Sequence, residues 1–367
     1  MKKIIPILLY MLFIFSYSPN VFADTLSNAI EAEACGDSES ENCTGICTQT
    51  NNVITIATTG NDDGGVTDAD SGNVKNFCNE KPDQYRITFY KAGLCKTDIL
   101  DVTGSSNPTI APNCYNFFVE EGKAITLQHD TATGAVTQSE NLITGDLFFE
   151  LGTYNYAYVI VDNHLEIKHQ QTYSENMTGD SVNSDGMSWS SGLTCWTNGT
   201  VTTYTNANGS QRGYEGSAGA REVKSWAESS RDPRHLAMIC GETEDANPQF
   251  NIEIIENMAE DPGTENSNFE AISVTGYQSI PGSSDTAAGK LLQDDNLTTA
   301  TSHLNAARIF YPIKFANPLI VTPDIKKFTV SFDVSGSVSL DFDTDGSNNL
   351  INVKAGADPF TIKFSAE

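Results

Sequence analysis

Asp341, Asp343 and Asp345, followed by Gly346, alternate in the stretch DFDTDG. At this spacing carboxylates can wrap a hard cation before a glycine turn, and calcium is the cofactor the pattern suggests. Position twelve of such a loop is Asn352 rather than a bidentate glutamate, and the flanking residues read as strand. A solvated strand face running into an Asp345-Gly346 turn therefore competes with the metal reading. A looser group, Asp62, Asp63, Asp68 and Asp70 in GNDDGGVTDAD, also offers oxygen ligands.

Residues for covalent or acid–base catalysis are sparse. Gly216-Ser217-Ala218-Gly219 has the wrong spacing for a nucleophile elbow. The five histidines, His129, His164, His169, His235 and His303, are scattered. His164 and His169 stand five apart on a strand, which points them to opposite faces and leaves each to be read as exposed and unpaired. A carboxylate pair for glycoside hydrolysis leaves no mark among 48 acids, because that pairing is spatial.

The chemistry of recognition is more concentrated. Trp189, Trp196 and Trp226 are all the tryptophans of the chain, and they share one segment with Tyr204, Arg212 and Tyr214. Between 186 and 240 five basic residues (Arg212, Arg221, Lys224, Arg231 and Arg234) face four acidic ones (Glu215, Glu222, Glu228 and Asp232) in a chain of formal charge −27. Trp, Tyr and Arg dominate binding hot spots through rigid area, stacking faces and forked donors. The surrounding Gly, Ser, Asn and Thr supply little aliphatic surface to bury the rings. A core role for the indoles weighs evenly against a contact surface for a glycan or an acidic protein partner.

Compartment follows from the first residues. MKK, the apolar run IIPILLYMLFIFSY and Val21-Phe22-Ala23 before Asp24 are the three parts of a secretory signal peptide, too short to be read as a membrane span. No later apolar run reaches spanning length. Cleavage would remove Lys2, Lys3 and no acid, moving the charge from −27 to −29. A nucleic-acid partner is excluded by such a field. The chain is expected in a periplasm, outside the cell or at its surface.

Eight cysteines, an even number in an exported chain, imply four disulfides. Locality pairs Cys95 with Cys114 and Cys195 with Cys240, and leaves Cys35, Cys43, Cys47 and Cys78 to pair among themselves. Zinc is disfavoured, since no second Cys or His pair follows Cys43-x3-Cys47 at the usual interval.

The elements that must position these groups read as strands. QYRITFYK alternates, NCYNFFVE and AITLQ follow, and LFFELGTYNYAYVIVDNHLEIKH reads as a hairpin turning at Asp162-Asn163, its first strand apolar on both faces and hence central. In the C-terminal part, Phe328, Val330, Phe332 and Val334 share one face. Val338, Leu340 and Phe342 share one face of the next strand, with Ser331, Asp333, Ser337, Ser339 and Asp341 turned to water. Residues 285–309 are the best place for one or two short helices, and 256–285 reads as a linker or long loop.

Leu151-Gly152-Thr153-Tyr154 resembles the Gly-x-Tyr start of a strand in prealbumin-like and Cna-B-like β-sandwiches. The resemblance implies a sandwich and carries no function.

The expected architecture is all-β: a signal peptide (1–23), a Cys-rich polar segment (24–80), a first antiparallel sandwich (81–175), a disulfide-pinned, loop-rich Trp/Arg region (176–248) and a C-terminal sandwich (249–367). The expected function is a non-catalytic exported protein for adhesion, surface structure or glycan binding. The alternative is a secreted polysaccharide hydrolase using an unidentified carboxylate pair.

Overall fold

In the computed structural model the described residues are 47, 49–57, 65–67, 74–75, 77–100, 107–110, 114–129, 136–138, 150–183, 186–203, 221–222, 238–255, 276–279, 283–301, 305–325, 328–344, 351–357 and 360–366. They are strands and their connections. The N-terminal strands are short: β1 (Gln49–Thr50), β2 (Val53–Ile54), β3 (Ile56–Ala57), β4 (Gly65–Thr67), β5 (Val74–Lys75) and β6 (Phe77–Glu80). Longer ones follow: β7 (Gln84–Cys95), β8 (Cys114–His129), β9 (Val136–Gln138), β10 (Gly152–Asp162), β11 (His164–Lys168), β12 (Gln170–Asn183) and β13 (Gly186–Thr197). Then come β14 (Thr200–Thr203), β15 (Arg221–Glu222), β16 (Met238–Gly241), β17 (Asn251–Ile254), β18 (Gln278–Ser279), β19 (Thr286–Ala287) and β20 (Lys290–Leu292). The last are β21 (Arg308–Val321), β22 (Phe328–Asp333), β23 (Val338–Thr344), β24 (Ile351–Ala357) and β25 (Thr361–Ala366).

Two large sheets dominate. One runs β1-β2-β12-β24-β23-β6, with β13 on β12 and β16 on β13; the other runs β15-β14-β17-β11-β7-β10-β21-β19-β18, with β8 on β7, β9 on β8 and β20 on β21. Most pairs are antiparallel, but β12 runs parallel to β2 and β24, and β14 runs parallel to β15 and β17. Strands from the 81–175 and 249–367 segments share sheets: β10 pairs β21 from Gly152↔Val321 to Asp162↔Arg308. One continuous core runs from Cys47 to Phe364. The small sheet β22–β25 contributes Phe328, Phe332 and Phe364 to it, with Phe332 edge-on to Phe89 at 5.3 Å and Phe328 to Phe117 at 5.5 Å.

β10 is central, between β7 and β21, and Tyr154, Ala157, Tyr158, Val159, Ile160 and Val161 are buried, as its two apolar faces require. Three expectations are corrected. Residues 147–169 do not form a hairpin, because β10 and β11 lie end to end along the same strand, β7, with Val161↔Phe89 and then Glu166↔Arg86. Asn163 marks a junction in one long strand, and its amide replaces ladder bonds by donating to Ile255 O (3.0 Å) and Ala306 O (3.3 Å). Among the described residues of segment 285–309, strands β19 and β20 take the place of an α-helix, with a 3-10 residue at Asn305; pairing with β21 buries Ala287, Leu291 and Leu292, which outweighs local helix propensity. Ser337 and Ser339 are buried rather than wet: Ser337 N donates to Val334 O (3.2 Å) in the turn before β23, and Ser339 lies in a strand flanked on both edges by β24 and β6.

Between the two large sheets the chain crosses at 81–83, at 169, at 198–199 and between 242 and 250. A crossing strand leaves backbone groups without a ladder partner, and polar side chains must take them. Thr197 Oγ1 accepts from His169 N (3.1 Å), Asn251 Oδ1 from Asn198 N (3.0 Å) and Gln170 Oε1 from Asp245 N (2.7 Å). These crossings therefore brace one another at one corner.

Candidate functional site

The stretch expected as loop around Trp196 is the strand β13. This Ser- and Thr-containing, Gly-punctuated strand pairs with β12 on one side and β16 on the other, with Trp196 opposite Gln170 and Ile239. Small residues are needed because the layers approach closely: a Cβ on Gly192 would overlap the Gly241 backbone, and one on Gly179 would overlap Met238 O. Ser190 Oγ bridges this approach, accepting from Cys240 N (2.9 Å) and donating to Gly179 O (3.1 Å).

Trp196 is half-buried, its ring lying against Gly241, whose added Cβ would stand 2.9 Å from Trp196 Cη2. Next to it, Cys195 and Cys240 are bonded across the β13·β16 register, with Cα atoms 4.0 Å apart. Trp189 lies on β13 opposite Asp180. Tyr204, Arg212, Tyr214 and Trp226 lie outside the described residues, and the structure gives the feet of their segment. One foot ends at β13, and the chain then adds β14 to the edge of β17 in the second sheet. The other foot returns as β16 beside β13.

Both local disulfides are present, Cys95–Cys114 across β7·β8 and Cys195–Cys240 across β13·β16. A third joins Cys47 to Cys78, while Cys35 and Cys43 lie outside the described residues. Three disulfides are what an oxidising, exported environment produces. Among the described residues no helix is long and apolar enough to cross a membrane.

Of the acidic calcium candidates, Asp341 and Asp343 occupy β23 opposite Lys354 and Asn352 of β24. Asp345, and the group Asp62, Asp63, Asp68 and Asp70, lie outside the described residues. Among the described residues no cluster of three or more His, Cys, Asp or Glu could hold a metal ion.

Two histidines expected as exposed and unpaired are placed otherwise. His169, at the sheet crossing, is buried; burial pushes its pKa down to about 4 against the pull of the Lys81 backbone, so it is neutral. His164 Nδ1 lies 2.6 Å from Asp162 Oδ1. Asp162 Oδ1 also accepts from His164 N (3.1 Å), and Oδ2 accepts from Tyr90 OH (2.9 Å) and Arg308 Nη1 (3.4 Å). The Arg308 guanidinium stacks 3.8 Å over the Tyr90 ring. Burial alone would raise the Asp162 carboxyl, but His164, Arg308 and Tyr90 outweigh it and hold it below the usual range. A His–Asp pair can serve as a base, yet four donors share this carboxylate, whose geometry is that of a joint fastening β7, β10, β11 and β21. Sequence reasoning missed it because Tyr90, Asp162 and Arg308 are far apart in the chain.

Compared with known proteins, the chain matches no family model, no curated sequence and no solved structure. Function therefore has to rest on its own residues.

Proposed function

We propose that this is an exported, non-catalytic β scaffold that meets a glycan or protein partner at a cell surface or in a periplasm. The observation that supports it is the cross-strand bond Cys195–Cys240, which holds the two feet of the 198–237 excursion side by side on β13 and β16. By sequence, that excursion carries Tyr204, Arg212, Tyr214 and Trp226. A covalently closed base lowers the conformational cost of presenting such residues to a partner. Asp162, which accepts four hydrogen bonds, and Glu253, whose Oε2 accepts from Ala357 N at 2.6 Å, are engaged in fastening strands, which favours binding over hydrolysis.

The test is a glycan array, with a panel of surface proteins, probed by wild type and by Trp226→Ala and Tyr214→Ala. Loss of a wild-type signal in either variant is the expected result. Identical profiles overturn the assignment of the contact region, and release of reducing ends from a polysaccharide by the wild type would establish the hydrolase instead.

A further inference from the structure

At the 81–83 crossing, polar side chains turn into the core. His169, just before β12, and Gln171 and Tyr173 within it follow one another at alternate positions, and all three are buried. Glu80, at the end of β6, faces them at 6 % exposure. Its Oε2 accepts from Gln49 Nε2 (2.7 Å), while its Oε1 and the hydroxyl of Tyr173 are buried with no hydrogen-bond partner. Gln49 itself is exposed, so the β1–β2 hairpin is the thin roof between Glu80 and water. That hairpin turns through Asn51 and Asn52, both at positive φ (55° and 63°), and its β2 side pairs β12 over two residues only, Thr172↔Val53 and Tyr173↔Ile54. Gln171 Nε2 donates to Asn52 O (2.9 Å), Ser174 Oγ accepts from Ile56 N (3.0 Å), and the Cys47–Cys78 bond tethers the hairpin's entry to β6.

We infer that Glu80 is a proton-operated latch: protonated, it lets the β1–β2 hairpin close over β12, and ionised, it lifts the hairpin while Cys47–Cys78 keeps the segment attached. The physical reason is that a carboxylate here has one side-chain donor, Gln49, and water can reach its second oxygen once β1 moves aside. Burial raises the Glu80 carboxyl to about 7, against Gln49 and the Lys81 backbone, which places the change near neutral pH. The titratable groups around it act in known directions. Tyr173 is raised by burial and by Glu80 and stays neutral, and His169 is neutral. Lys81 is lowered by burial against the attraction of Asp333. Asp83 is raised to about 6 by burial, with Gln170 and Lys168 opposing and Glu244 adding to the shift. This goes beyond the proposed function and does not depend on it.

Hydrogen exchange from pH 5 to 9, corrected for intrinsic rates, tests the latch in wild type, Glu80→Gln and Asp83→Asn. Protection of residues 53–56 in the wild type should fall by about tenfold or more between pH 6 and 8.5, with β7 and β10 unchanged. Glu80→Gln keeps the Gln49 contact without the charge and should be flat; Asp83→Asn should keep the wild-type slope. A flat wild type, or equal slopes in wild type and Glu80→Gln, overturns the latch. So does a slope lost in Asp83→Asn and kept in Glu80→Gln. The wild type's own protonated-carboxyl infrared band should vanish over the same interval, and a band unchanged from pH 5 to 9 overturns it whether or not Glu80→Gln folds.

Discussion

Cys195 and Cys240 stand directly opposite each other on neighbouring antiparallel strands, and Trp196 and Ile239 form the next pair in the ladder. The bond closes a sequence separation of 45 residues. In the chain-entropy account a loop of that size is worth about 3–4 kcal/mol. Replacing both cysteines by alanine should lower the unfolding free energy by that amount in equilibrium denaturant titrations, and non-reducing peptide mapping of the wild type should recover the 195–240 linkage.

Glycines in the same layer separate backbone from side-chain crowding. Alanine at Gly192 meets the Gly241 backbone, which has nowhere to go, whereas alanine at Gly241 meets the edge of the Trp196 ring, which can tilt. Thermal unfolding should show Gly192→Ala costing about 1–3 kcal/mol or more and Gly241→Ala distinctly less. A reversed order would mean that the β13·β16 approach is looser than described.

Asp162 makes a statement about acid stability. Its folded pKa is depressed, so its contribution is present above the unfolded value of about 3.9 and is lost as pH falls through the folded value. Asp162→Asn should destabilise by on the order of 1–3 kcal/mol at pH 7, and the gap to wild type should narrow below about pH 4. Urea titrations of both proteins at pH 3 and pH 7 measure it.

Glu80 predicts the opposite slope. Its folded pKa is raised from 4.5 to about 7, so the folded chain holds the proton more tightly. That stabilisation is complete below about pH 4.5 and is lost as pH rises through about 7. Asp83, raised to about 6, adds in the same sense. Global stability should fall between pH 5 and 8, and Glu80→Gln should flatten that fall by on the order of 3 kcal/mol in urea titrations.

Alternation was legible where one face is dry and the other wet, as at Phe328, Val330 and Phe332, and where both are dry, as in β10. It misled at Asp162-Asn163. An Asp-Asn pair reads as a turn because its side chains bond local backbone, and here the Asn163 amide bonds backbone from 255 and 306 instead. It also misled at 286–292, where a strand ladder with β21 decided the conformation of residues with fair helix propensity. Around Trp196 a polar, Gly-rich run looked like loop because glycine is read as flexibility, while Gly179 and Gly192 serve close packing.

By itself the sequence determined that the chain is β and that Cys95 pairs with Cys114 and Cys195 with Cys240, since period-two patterning and loop length are local quantities. Only the tertiary structure decided which strands lie side by side, that residues 81–175 and 249–367 interleave in shared sheets, and that Glu80 and His169 are shut away from water. A strand's pattern states which face it hides and is silent on what hides it; the covering residues come from distant parts of the chain.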